Sequence, residues 1–216
     1  MPLEYPPPSV SVDPARLLVH TYAAGATIVR IYDPETSHRP SPWTFRFNGP
    51  RLRFDHHRGG AGPNRVTPPA DDPVRGIYYA ARDLEGAVVE VFGDSPRIVT
   101  RGTNRVVFAR LTQSIRVLDL RGHGGMRAGT SAGISGTETR SLTHAWARYF
   151  YDRRDIYGTL DGLLYANSHN AMDAVAVFER ALPAIASTVR TVRRLDNPDL
   201  ELQLLDIAAR NGLTIE

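Results

Sequence analysis

The run from Gly76 to Gly93, Gly-Ile-Tyr-Tyr-Ala-Ala-Arg-Asp-Leu-Glu-Gly-Ala-Val-Val-Glu-Val-Phe-Gly, constrains the fold more than any other part of the chain. It begins with aromatic and β-branched residues, Ile77 to Tyr79, which favour a strand. Asp83 follows as an N-cap carboxylate, and Ala87, Val88 and Val89 supply the apolar side of a short helix. A strand passing directly into a helix places Tyr79 on the strand and Glu90 on the helix behind it. Glu90 is flanked by Val88, Val89, Val91 and Phe92, an apolar setting for a carboxylate. Such a group carries a desolvation cost unless it is paired or used. The remaining segments are read as wall and floor around these two residues.

Before Gly76, Pro2, Pro6, Pro7 and Pro8 predict an extended tail over residues 1–12. Asp13 followed by Pro14 reads as a cap and first helical position, predicting a short helix over 14–23. Residues 27–32, Thr-Ile-Val-Arg-Ile-Tyr, predict a strand with Arg30 between two β-branched neighbours. Shorter strands are expected at 44–47 and 52–55. Residues 56–73, with four prolines and three glycines, read as a flap or insertion.

After Gly93, strands are expected at 105–111 and 115–120, then a Gly- and Ser-rich loop over 121–137. Leu142, Ala145, Trp146, Tyr149 and Phe150 have the spacing of one helix face, over 141–152. Residues 160–168 predict a strand ending in the polar tip Asn167-Ser168-His169-Asn170, and 174–180 a further strand running into helix. Asn197, Pro198 and the closing Arg210-Asn211-Gly212 punctuate a helix over 197–211. Interspersed strands and helices without regular βαβ spacing predict an α+β fold, with a mixed sheet core and flanking helices, as a single domain over 13–216.

Composition narrows the chemistry. The chain has no cysteine, which excludes disulfides, thiolate metal sites and a thiol nucleophile. No apolar run reaches the roughly 18 residues of a membrane helix, and no signal peptide is read, so cytoplasm is the default location. The net charge is +3, but all 26 basic residues are arginine. That bias points to composition more than to a nucleic-acid surface, and direct nucleic-acid binding is not expected. His56, His57, Asp55 and His123 could ligate a metal on paper. Adjacent side chains of an extended segment diverge, however, and no His-x-His or His-x-x-x-His spacing occurs, so no metal site is expected. The glycines at 58–62 and 121–128 lack the context of a phosphate loop, and there is no Gly-x-Gly-x-x-Gly turn.

The ordered set of Arg30 in a strand, Arg53-Phe54-Asp55, Tyr79-Ala80-Ala81, Ala87 and Glu90, and the late strand Asp161 to Ser168 resembles the RES domain family, named for an Arg, a Glu and a Ser. The likeness covers about 27–182, and the eleven-residue spacing from Tyr79 to Glu90 matches the family pattern. One position departs from it. The family Ser usually falls two residues after the position of Tyr165, which here is Asn167, with Ser168 one later. A one-residue slip moves a side chain to the other face of a strand, so only one of the two can face the site if the strand continues.

The resemblance implies a fold similar to ADP-ribosyltransferases and an activity that destroys NAD, with NAD as substrate and no resident cofactor. It also implies a toxin of a toxin–antitoxin pair, held inactive by a separate protein with an Xre-type helix-turn-helix domain. The sequence leaves the oligomeric state open, a homo-oligomer included. Cleavage between nicotinamide and ribose passes through an oxocarbenium-like state, which a carboxylate stabilises. Glu90 fits that role. Arg30, carried over as catalytic, and Arg53 fit the charge-assisted binding of two phosphates. Tyr79 would stack on nicotinamide or hydrogen-bond the ribose, and Ser168 or Asn167 would anchor ribose or carboxamide. If inorganic phosphate is the acceptor, Arg46 or Arg51 is available to bind it. Two other readings stand beside NAD breakdown: an ADP-ribosyltransferase acting on a macromolecule, and a non-catalytic Arg-rich binding module.

Overall fold

The structure is a computed structural model that describes residues 4–7, 11–59, 68–186 and 189–216. Its strands are β1 (Val19–Tyr22), β2 (Thr27–Tyr32), β3 (Asn48–Gly49), β4 (Ala70–Asp71), β5 (Ile77–Ala81), β6 (Ile98–Val99), β7 (Arg105–Arg110), β8 (Ile115–Asp119), β9 (Gly162–Ala166), β10 (Asp173–Phe178), β11 (Val189–Arg194) and β12 (Thr214–Ile215). The α-helices are α1 (Leu84–Phe92), α2 (His123–Arg127), α3 (Arg140–Asp152), α4 (Arg154–Tyr157), α5 (Leu182–Ala186) and α6 (Glu201–Asn211). Eight strands form one mixed sheet in the order β1-β8-β9-β10-β5-β2-β7-β11, antiparallel except for the parallel pair β8–β9. The fold is α+β, as the mixture of periodicities predicts.

Alternation along the strands sorts side chains to two faces. On one face, Leu163, Tyr165, Ala174, Ala176 and Phe178 pack with Trp146 and Phe150 of α3. The same face continues through Val29, Ile31, Ala81 and Val106 to Ala87 and Val88 of α1 and Leu204 and Ile207 of α6. The opposite face carries Ile28, Tyr78, Ala80, Val107, Leu164, Val175 and Val177 against Ala184 and Ile185 of α5.

The sheet is not uniformly paired. β5 pairs with β10 along its whole length, and β2 with β7 along its whole length. Between β2 and β5, however, only Val29 and Ala81 are in register. Beyond that point the strands part, and the segment around Arg46 takes β5's free edge: Arg46 exchanges both backbone hydrogen bonds with Ile77, at 2.8 and 3.0 Å. The split opens beside Arg30, Tyr79 and Ala80.

Four local expectations are corrected. The cap at Asp13 forms, its carboxylate accepting from the Ala15 N–H at 3.0 Å, but only Pro14–Arg16 turn as a 3-10 helix. The Val-His-Thr-Tyr that follows pairs with β8 instead, because β-branched and aromatic side chains suit an edge strand better than a helix. Residues 52–55 form a turn, and only Arg46 of 44–47 bridges a strand. Residues 121–137 contain α2 and a 3-10 turn at Ala132–Ser135. β11 had no counterpart in the sequence reading. Part of the Pro-rich tail (1–3 and 8–10) and part of the 56–73 insertion (60–67) lie outside the described residues. Residues 4–7 are tied down rather than free: Trp146 Nε1 donates to the Glu4 carbonyl at 2.7 Å, and the Tyr5 hydroxyl to Ser141 Oγ at 2.8 Å.

At the centre of the sheet, Gly162 of β9 lies close to β10. A Cβ there would come within 2.4 Å of the Ala176 carbonyl oxygen, a backbone neighbour that cannot yield. Gly162→Ala is expected to destabilise the fold by about 1–3 kcal/mol, read as a lower urea midpoint.

Candidate active site

Residues beside the split between β2 and β5 line a cavity of about 650 Å³, within the size range of small-molecule sites. Residues from distant parts of the chain line it: Arg30 of β2, Arg46 and Arg53 before β4, Tyr79 of β5, Glu90 of α1, Arg140 of α3, and Ser168 and His169 after β9. Arg30 belongs to the opposite sheet face from Glu90, and the missing register between β2 and β5 lets the two share one space.

Glu90 is placed by the strand-to-helix turn. Asp83 caps α1, accepting from the Gly86 N–H at 2.8 Å, and Val88 and Val89 bury the helix against the sheet. One turn beyond, Glu90 Oε1 accepts from the Tyr165 hydroxyl at 2.8 Å. Burial pushes its carboxyl above the usual carboxylate range, and Tyr165 and the charge of Arg53 offset only part of that. Tyr165 itself is pushed well above the phenol range, by burial and then by Glu90's charge, so it remains the proton donor.

Arg30 reaches the cavity as a half-buried guanidinium without a carboxylate partner among the described residues. Nη1 donates to the Thr44 carbonyl at 2.8 Å, and its plane lies over the Tyr78 ring, 4.3 Å from the centroid. Burial works against its charge, the aromatic face supports it, and an arginine stays protonated in either case. Arg140 likewise has no carboxylate partner among the described residues and donates only to the Arg51 carbonyl, at 3.2 Å.

Asp55 is the hub of the cavity floor. Its buried carboxylate accepts from Arg46 Nη2 on both oxygens, at 2.7 and 2.8 Å, and from the backbone N–H of Leu52 at 3.0 Å. The backbone N–H of Arg51 points at the same carboxylate. Burial opposes the charge, but these donors outweigh it and hold the carboxyl below the usual range. The Tyr79 hydroxyl donates to Asp55 Oδ1 at 2.9 Å and accepts from the Phe54 N–H at 3.0 Å.

Three sequence assignments change in detail. The Tyr79 ring lines the cavity, but its hydroxyl gives its one proton to Asp55 and already accepts from the Phe54 N–H, so it has no donor left for a ribose oxygen. Arg53 lines it too, yet its guanidinium clamps the neighbouring loops: Nη1 donates to the Ser135 and Thr137 carbonyls at 2.7 and 2.8 Å, Nη2 to Ser168 Oγ at 2.8 Å. Asn167 is buried outside the lining and folds the turn, Oδ1 accepting from the His169 N–H at 2.8 Å. β9 ends at Ala166, so the strand-face argument stops there, and Ser168 is the residue that borders the cavity. Arg46 borders it as well, locked to Asp55, while Arg51 does not.

The family model for the RES domain matches residues 27–204. The chain belongs to the RES domain family. Arg30, Glu90 and Ser168, to which the resemblance carries the family's three naming residues, line one RES cavity. A chain in the crystal structure of the M. tuberculosis MbcT–MbcA toxin–antitoxin complex is similar, at 17% identity and a TM-score of 0.44 over 83% of this chain and 86% of that one. No curated protein matches.

Tyr165, Asp94, Arg140 and His169 had no functional reading in the sequence. His169 Nε2 lies 3.5 Å from Asp94 Oδ1, and its ring rests where a Cβ on Gly93 would be, 2.6 Å away. Tyr165 sits one strand period before Asn167, which is the only signal that could have drawn attention to it. His56 and His57 are buried: His56 Nε2 faces Glu179 Oε2 at 3.0 Å, and His57 Nε2 faces the Arg46 carbonyl at 2.9 Å. Among the described residues, no cluster of three His, Asp or Glu suited to a metal occurs. No helix among them is long and apolar enough to cross a membrane.

Because folded Glu90 keeps its proton to higher pH than the unfolded residue does, its stabilising effect is present at low pH and is lost as pH rises through its folded titration. Glu90→Gln is therefore expected to raise the melting temperature by roughly 2–4 °C at neutral pH. The margin over the parent should shrink as pH falls below the Glu90 titration, which differential scanning calorimetry across pH would show.

Proposed function

We propose that the protein consumes NAD by breaking the bond between nicotinamide and ribose, and that it is a toxin restrained by a separate helix-turn-helix antitoxin of Xre type. The observation that carries this reading is the cavity's charge layout. The Glu90 carboxylate, with one protein hydrogen bond among the described residues, stands in the same space as two guanidinium groups, Arg30 and Arg140, that have no carboxylate partner among them, while the other lining carboxylates, Asp71 and Asp94, face Asn48 and His169. A dinucleotide combines a cationic pyridinium sugar with an anionic pyrophosphate, and needs both signs at separate points. Ile31, Phe45, Ala80 and Ala87 add apolar wall for a flat ring.

The chemistry asks little of an acid. As the C1′–N bond breaks, its electron pair leaves with the pyridinium nitrogen, and nicotinamide departs neutral. Positive charge develops on the ribose, and an ionised Glu90 stabilises it. Water or inorganic phosphate then bonds to C1′, giving ADP-ribose with release of a proton, or its phosphorylated form. Arg30 and Arg140 would hold the pyrophosphate, and Ser168, kept in place by Arg53, a ribose or carboxamide oxygen.

Purified protein with NAD alone is expected to release nicotinamide. Loss of NAD only in the presence of a macromolecular acceptor would favour ADP-ribosyl transfer, and intact NAD under both conditions would overturn the reading. Glu90→Gln should abolish turnover. Arg30→Ala should raise the KM for NAD about tenfold or more. Since the carboxylate must be ionised, kcat should climb with pH through the Glu90 titration, which sits above the ordinary carboxylate range.

A further inference from the structure

The Tyr165 hydroxyl is, among the described residues, the one hydrogen-bond donor to the Glu90 carboxylate. We propose that Tyr165 is a positioning residue, holding Glu90 Oε1 so that Oε2 alone is left to meet the substrate. The proposal rests on the reading of Glu90 as the group that acts on NAD, and it concerns how that group is aimed.

The placement of Tyr165 is rigid. It lies in β9, an interior strand paired with β8 on one side and β10 on the other, opposite Ala174. The side chain is fully buried, and its ring packs on Phe54 with centroids 4.7 Å apart. The backbone N–H of Phe54 is in turn held by the Tyr79 hydroxyl, which is held by Asp55. The hydroxyl therefore comes from a fixed point, whereas Glu90 has three rotatable side-chain bonds and stands on a helix of nine residues.

No neighbour can substitute for it. The groups that act on Glu90 come from four elements: the Tyr165 hydroxyl from β9, and the charges of Arg53 from the turn after β3, Arg140 from the start of α3, and Asp94 just past α1. Arg53 is committed to the Ser135 and Thr137 carbonyls and to Ser168. It contributes a favourable field at Glu90 but no bond that fixes direction. Asp94 has the wrong sign and pushes the Glu90 proton affinity up. Loss of the Tyr165 hydroxyl thus releases the carboxylate's orientation and raises its proton affinity together, two effects with one cause.

The test is Tyr165→Phe in the full chain. NAD turnover is expected to lose about tenfold or more in kcat with KM little changed, and the rising limb of the kcat–pH profile should move to higher pH. Independently of turnover, the carboxyl ¹³C resonance of Glu90, assigned by its absence in Glu90→Gln, should titrate at higher pH in Tyr165→Phe than in the parent. 3-Fluorotyrosine at position 165 keeps the ring and hydroxyl but donates more strongly, so it should move the same titration to lower pH. It also decides the matter if the phenylalanine variant fails to fold. A Glu90 titration unmoved by either replacement overturns the proposal, as does a loss confined to KM. A parent protein that leaves NAD intact would overturn the function proposed above, while the carboxyl titration would still decide whether Tyr165 controls Glu90.

Discussion

The arrangement depends on a place where pairing stops. Two neighbouring strands of an eight-stranded sheet meet at a single register pair, Val29 and Ala81, and then separate. Unpaired strand edges in a protein interior are costly, since each backbone N–H and C=O must find a partner. Here the exposed edge of β5 is met by Arg46, whose backbone exchanges both hydrogen bonds with Ile77. Because the gap is bridged by a passing segment rather than a full strand, space remains inside the sheet plane. Arg30, which alternation sends to one face of the sheet, and Glu90, on the helix packed against the other, can then line one space.

Holding such a gap open requires a stiff floor, and Asp55 provides it. Its carboxylate ties the Arg46 side chain, the turn at 51–52 and Tyr79 into one charge-assisted network away from water. A buried charge satisfied this fully fixes geometry more than it adds net stability. Arg53, next door, does for the outer loops what Arg46 does for the floor, joining the segment before α3 to Ser168. Arg46 and Arg53 are therefore scaffold, whereas Arg30 and Arg140 have no carboxylate partner among the described residues.

The strand-to-helix unit around Glu90 was legible because every local signal agrees: a β-branched run, a capping Asp and a short apolar helix ending at glycine. Arg30 and the late strand were readable for the same reason. Residues 17–22 were misread because a sound cap at Asp13 suggested continuation, while pairing with β8, distant in sequence, decided otherwise. The turn at 52–55 looked like a strand because Phe54 is apolar, yet its burial comes from a turn pinned by Asp55. β11 escaped notice because three of its six residues are arginine, an edge-strand composition that resembles a loop. Occupancy is the deepest limit. Sequence order can bring Tyr79 and Arg53 to the cavity, but only coordinates reveal that their polar atoms are already engaged.

The strand order also governs when the cavity can exist during synthesis. β5 takes its full-length pairing from β10, and β10 is bracketed by β9, so the wall bearing Tyr79 has no complete support until residue 178 has left the ribosome. Tyr165 and Ser168 arrive in that same late hairpin. A nascent chain carrying Arg30 and Glu90 but lacking this hairpin has its chemical groups without the frame that gathers them. Translation thus delivers the finished cavity in one late step, once the β9–β10 hairpin has emerged.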